Sequence, residues 1–221
     1  MSLINSLFNL FKKKQTSNNT TKPNYELASL GIKLNSKIEI SHPATKYGST
    51  EYLQEKWELP YKSISAQSKT KTCVDTETEC IFYTYDEQGY LQIFYSGEDS
   101  KENRININLW MYCDFTEELT SQEVADKWID MMNQNSFTID NKTYTKNSPS
   151  IVESTQQIET IHGNRYSMSK NSMVFSREIS DAESEMLTIS IESIEQEDGS
   201  LLETGTIAVG ISISPEQIAV F

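Results

Sequence analysis

Between Arg104 and Phe115 every second side chain is apolar. Ile105, Ile107, Leu109, Met111 and Cys113 alternate with Asn106, Asn108, Trp110 and Tyr112. A period of two marks a strand, here with one aliphatic face and one polar, aromatic face. That division suits a sheet packed on one side. The same alternation recurs at Leu187, Ile189 and Ile191, and at Ile207, Val209, Ile211 and Ile213 before Pro215. The segments Ile81 to Tyr85 and Leu91 to Tyr95 are rich in aromatic and β-branched residues. Turn signals separate these runs. TYDEQGYLQ places Gly89 at the end of a four-residue turn, where a positive φ is expected, and FTIDNKTYTK, IHGNRYSM and EQEDGSLL put Asn or Gly between strand-like stretches. Short hairpin turns join antiparallel neighbours, so the predicted sheet is mainly antiparallel.

One segment follows a different period. In TSQEVADKWIDMMNQN, Val124, Trp128, Met131 and Met132 recur at helical spacing, with Thr120 or Ser121 as N-cap and Glu123 near the capping-box position. A helix over 121–134 is expected to lay that face on the sheet. The fold class is α+β: a mainly antiparallel sheet, one main helix packed on it, and a short N-terminal amphipathic helix.

That N-terminal element is MSLINSLFNLFKKK. On a helix, Leu3, Ile4, Leu7, Phe8, Leu10 and Phe11 share an arc of about 160° at 100° per residue, with Ser2, Asn5, Ser6 and Asn9 opposite. Lys12, Lys13 and Lys14 follow. The next stretch, QTSNNTTKPN, has nothing to bury and reads as a linker. The expected organisation is an amphipathic helix over 1–14, a flexible linker over 15–24 and a single α+β domain over 25–221.

Charge sharpens the division. The chain of 221 residues carries a net charge of −13. Residues 1–24 hold four lysines and no acid, whereas the remainder sets 15 Lys/Arg against 32 Asp/Glu, a balance of −17. So acidic a body repels phosphate backbones, which argues against nucleic acid and favours basic partners. An aromatic content of 10% indicates a folded core. No apolar run approaches the roughly 20 residues that cross a bilayer.

Candidate chemistry is sparse. GxGxxG, GxxxxGK and GxSxG are absent. Cys73, Cys80 and Cys113 have no CxxC spacing, and the two histidines, His42 and His162, are far apart, so a Cys/His zinc site is not expected. The thiols read as reduced core residues. His42 precedes Pro43 at a strand end, and His162 falls at a hairpin tip beside Gly163. Asp75, Glu77 and Glu79 lie on alternate positions of one strand face, which could hold a cation but lacks an EF-hand pattern and reads as a solvated face; Glu195, Glu197 and Asp198 form a second acidic cluster. No catalytic residue, metal or cofactor is expected.

The opening segment is not a secretory signal, because its charges follow the apolar part and no A-x-A site appears. Ser2 excludes myristoylation. An interfacial helix remains, with Leu3, Ile4, Leu7, Phe8 and Phe11 inserting and Lys12, Lys13 and Lys14 meeting anionic headgroups. A protein groove, or packing on its own domain, would use the same face.

Three further stretches carry a resemblance: IFYTYDEQGYLQIFYSG (81–97), SREISDAESEMLTISIES (176–193) and TIAVGISISPEQIAVF (206–221). They resemble the YjfK-like family of bacterial proteins, a family of unknown function. Gly89, Tyr90, Leu91 and Gln92 match its turn-and-strand motif; Val209, Gly210, Ile211, Ser214 and Pro215 match its terminus. The resemblance implies no catalytic residues. It implies a genomic setting near membrane-stress proteins of the phage-shock type and enzymes similar to polyamine or glutathionylspermidine synthases. The function expected from residues and resemblance together is a non-enzymatic cytoplasmic adaptor, peripheral on the inner membrane, whose acidic body recruits a basic protein partner. The alternative is a soluble module that binds a protein partner, a polyamine or a peptide.

Overall fold

A computed structural model of the chain describes residues 30–41, 62–71, 77–84, 89–96, 104–181, 183–196 and 199–221. β1 (Lys37–Ile40), β2 (Lys62–Lys71), β3 (Glu77–Thr84), β4 (Gly89–Ser96) and β5 (Arg104–Glu118) precede the helix α1 (Gln122–Asn133). β6 (Ser136–Ile139), β7 (Lys142–Lys146), β8 (Val152–Thr160), β9 (Arg165–Ser180), β10 (Glu183–Glu195) and β11 (Leu201–Ser212) follow it. A 3-10 turn over Pro215–Gln217 leads into β12 (Ile218–Val220). The antiparallel sheet and the helix match the alternation and the 3.6-residue period read from the sequence.

The pairing goes further than alternation alone reveals. The order β2-β3-β4-β5-β11-β10-β9 is continuous, and β8 pairs with both β9 and β2. Eight antiparallel strands therefore close into a barrel. The closing seam is short: Ala66, Gln67 and Ser68 stand opposite Thr160, Glu159 and Ile158. Two hairpin-like appendages extend the ring. β7 and β6 continue from β9 beyond the reach of β8, and β1 with β12 continues from the start of β2.

Closure gives each strand an inner and an outer face, and the distribution inverts the usual expectation for a small barrel. The aliphatic positions point outward. Leu187, Ile189, Ile207, Val209, Leu109, Met111, Leu91 and Ile93 form one cluster with Trp128 and Met132 of α1, Tyr144 of β7 and Ile38 and Ile40 of β1. The helix and the appendages thus clad the barrel and bury its apolar exterior. Where no element covers β8 and β9, the outer positions are polar and exposed, as at Thr155, Gln157, Ser167, Ser169 and Asn171.

Local signals behave mostly as their chemistry dictates. Ser121 caps α1, its hydroxyl accepting from the Val124 N–H at 3.4 Å. Asp140 and Asn141 take positive φ in the two-residue β6–β7 turn, as do Gly163 and Gly199 in the turns after β8 and β10. Gly89 is the exception. Its φ is not positive, and glycine is required there for a different reason: a Cβ would collide with the Trp110 carbonyl on the neighbouring strand. The Thr84 hydroxyl donates to the Gly89 carbonyl at 2.9 Å, joining the end of β3 to the start of β4.

Candidate functional site in the barrel lumen

The inner face is polar and aromatic, and it is buried. Glu79, Ile81 and Tyr83 come from β3, Tyr90 and Gln92 from β4, and Asn108, Trp110 and Tyr112 from β5. Thr188, Ser190 and Glu192 come from β10, Met168 and Lys170 from β9, and Gln156 and Ile158 from β8. Contacts between strands that are not neighbours show that these side chains share one interior. Lys170 Nζ lies 5.3 Å from the centroid of the Tyr90 ring, although β9 and β4 stand on opposite sides of the ring of strands. The Tyr83 hydroxyl donates to Gln156 Oε1 at 2.8 Å, from β3 past β2 to β8.

A buried ion pair lies at the centre. Lys170 and Glu192 are cross-strand partners on β9 and β10, with Nζ 3.0 Å from Oε1 and side chains 10% and 3% exposed. Burial alone opposes the charge on Lys170. Attraction to Tyr90, Glu192 and Glu79 outweighs it and holds the ammonium charged above the ordinary lysine range. Glu79 is a second carboxylate at this centre. Burial pushes its carboxyl upward, against the lowering effect of a hydrogen bond from Gln92 Nε2 and the charge of Lys170. Burial likewise raises the phenols of Tyr83, Tyr90, Tyr112 and Tyr166, so all four keep their protons at neutral pH.

Amides and indole complete the network. Gln92 Oε1 accepts from Trp110 Nε1 at 2.6 Å while its amide nitrogen serves Glu79. Asn108 Oδ1 accepts from Ser212 Oγ at 3.1 Å and from Asn106 Nδ2 at 3.0 Å. The Tyr90 ring stacks on Trp110 at 6.1 Å and meets Tyr83 and Tyr112 at 5.7 and 5.5 Å. Gly210 makes room for the indole, since a Cβ there would lie 2.6 Å from Trp110 Cε3. Chemically, this interior holds an ammonium ion between carboxylates and a ring face. A protonated lysine is no nucleophile at neutral pH, and protonated phenols are no bases.

Another buried carboxylate, Glu185, lies on the outer face. Glu185 Oε2 accepts from the Tyr144 hydroxyl at 2.6 Å and from Arg177 Nη2 at 2.7 Å and Nε at 3.0 Å. It fastens the β6–β7 hairpin to the barrel.

The residues singled out from the sequence are distributed otherwise. Leu3, Ile4, Leu7, Phe8, Phe11, Lys12, Lys13 and Lys14 lie outside the described residues, together with the 15–24 linker, His42, Cys73, Asp75, Glu197 and Asp198. His162 is exposed in the β8–β9 turn as expected, and Glu195 is exposed at the end of β10. Cys80 is buried in the aliphatic cluster and Cys113 half-buried against it. Glu79 is a correction. It is buried inside the barrel at 8% exposure, not on a solvated face, because closure turns that side of β3 inward. Sequence reasoning passed over Lys170 and Glu192 altogether. For Glu192 the available signal was a charged residue on the second face of a strand whose first face carries Leu187, Ile189 and Ile191; β9, with Ser167, Ser169 and Asn171 opposite Lys170, offered none.

The sequence model of a family of proteins of unknown function, DUF2491, matches residues 7–219. The chain belongs to this family. The DUF2491 match spans every described strand except the end of β12, so the barrel and the helix packed on it lie within the matched region. No curated protein and no solved structure matches the chain significantly. Among the described residues no helix is long and apolar enough to cross a membrane.

Proposed function

We propose that this DUF2491 protein is a non-enzymatic adaptor that works at the cytoplasmic surface of a bacterial membrane, in a membrane-stress setting of the kind its YjfK-like resemblance implies. The partition of charge carries the reading. A segment with four lysines and no acid precedes a body of net charge −17. In this reading Leu3, Ile4, Leu7, Phe8 and Phe11 enter the interface, and Lys12, Lys13 and Lys14 meet anionic headgroups, each contributing on the order of 1 kcal/mol. The body then presents acidic surface, such as Glu123, Asp126 and Asp130 on the exposed side of α1, to a basic protein partner. Among the described residues the lumen's lysine is held charged by carboxylates, which favours an adaptor over a catalyst.

Co-sedimentation tests this with the full-length chain. Wild type is expected to pellet with phosphatidylglycerol vesicles at low salt, and a Leu7→Asp/Phe8→Asp variant to stay in the supernatant. Equal partitioning of the two proteins sinks the membrane role. Binding to a protein partner that needs no lipid and survives high salt moves the same face to a groove.

A further inference from the structure

We propose that the lumen is a binding site for a primary alkylammonium group, and that Lys170 is its resident, covalently tethered occupant. The inference goes beyond the adaptor reading and does not depend on it. The parts of the site come from strands other than the one that bears the lysine: Glu192 from β10, Glu79 from β3 and the Tyr90 ring from β4. An ammonium ion is the ligand that uses all three. It is attracted to both carboxylates, and its charge lies over the negative face of the ring. A quaternary ammonium has no N–H to offer a carboxylate.

Glu192 Oε1 meets Nζ at 3.0 Å across the β9–β10 pair, so the groups that hold the ammonium belong to the site and not to the strand that bears the lysine. Access also exists, since a tenth of the Lys170 side chain remains open to solvent. Truncation to alanine deletes Cγ, Cδ, Cε and Nζ, the heavy atoms of n-propylammonium. A Lys170→Ala chain is therefore left with a recess of that shape and two carboxylates in need of a cation.

Thermal unfolding of full-length wild type, Lys170→Ala and Lys170→Met decides the matter, in n-propylammonium chloride, in sodium chloride of equal ionic strength, and in n-propanol. For Lys170→Ala, propylammonium is expected to raise Tm saturably, by about 3–6 °C at roughly ten times Kd. Sodium chloride and n-propanol are not expected to do so. Wild type gains nothing over sodium chloride because its tethered ammonium has the higher effective concentration, and Lys170→Met gains nothing because its side chain fills the stem's path. If Lys170→Ala is unfolded in buffer, propylammonium should restore a cooperative transition and n-propanol should not. No response from Lys170→Ala overturns the proposal; so does an equal response to n-propanol, or an equal shift in all three proteins.

Discussion

Replacing Lys170 with methionine keeps an unbranched stem of similar reach and removes only the charge and its donors. The loss leaves Glu192, 3% exposed, as a buried carboxylate without its partner. At 10% and 3% exposure solvent screens this pair little, so it belongs with buried ion pairs, where removal of one partner costs about 3–5 kcal/mol. Against a total stability of roughly 5–15 kcal/mol for a domain, that is a large fraction. For a chain of this size it corresponds to a fall in Tm of about 6–20 °C. Glu192→Gln should cost less, because Lys170 keeps Glu79 as a second carboxylate. Lys170→Met/Glu192→Gln should recover much of the loss, since a neutral pair replaces an orphaned charge. The folded pKa of Lys170 is raised, so the pair's contribution is complete below the ordinary lysine pKa of 10.5 and is lost only as pH climbs through the raised value. Because Lys170 also holds the Glu79 carboxyl down, the deficit of Lys170→Met should shrink toward acid pH, where that carboxyl takes up its proton. Urea unfolding followed by tryptophan emission reads all three variants, with Trp110 reporting from within the lumen. A cost below about 1 kcal/mol for Lys170→Met, or a double variant equal to the sum of the singles, would refute the pairing argument.

Two other measurements probe the same physics. Because burial raises the folded pKa of Glu79 above 4.5, the native state binds the extra proton and loses stability as pH rises from that value through the folded one. Glu79→Gln should thus gain on wild type as pH moves from about 4 to 8, and a pH-independent difference would contradict the buried placement. Tyr144→Phe removes the hydroxyl that donates to Glu185 at 2.6 Å and should cost about 1.5–3 kcal/mol in urea, with faster amide exchange confined to β6 and β7; a loss spread over the barrel would show that the hairpin is held otherwise.

Much of the fold was legible because its signals are local. The alternation at Ile105 to Cys113 needs only β5 itself, the helix needs only Ser121 and the Trp128–Met132 face, and the β6–β7 turn needs only Asp140 and Asn141. The lumen was not legible because its defining fact is non-local. Alternation separates two faces of a strand without saying which one is enclosed, and Ser190, Glu192 and Lys170 look solvated until β8 meets β2. Glu79 was misplaced for that reason. Gly89 was assigned a positive φ because a turn was in view, whereas the close approach of Trp110 comes from the next strand. The N-terminal segment keeps the status that its sequence gives it, as the basic, amphipathic element of an acidic chain.

The register of β9 on β10 has a consequence for the order of assembly. Lys170 and Glu192 face one another across a single antiparallel pair, so they can meet while that pair is still in water. Lys170 and Glu192 need not then enter the interior as separate ions. The hairpin can carry the two charges in as a pair, and the three-residue seam between β8 and β2 completes the ring around them. Had the lysine come from β3 or β4, each charge would have had to lose its water before finding the other. By placing both members on adjacent strands, the sequence makes a charged core compatible with a closed barrel.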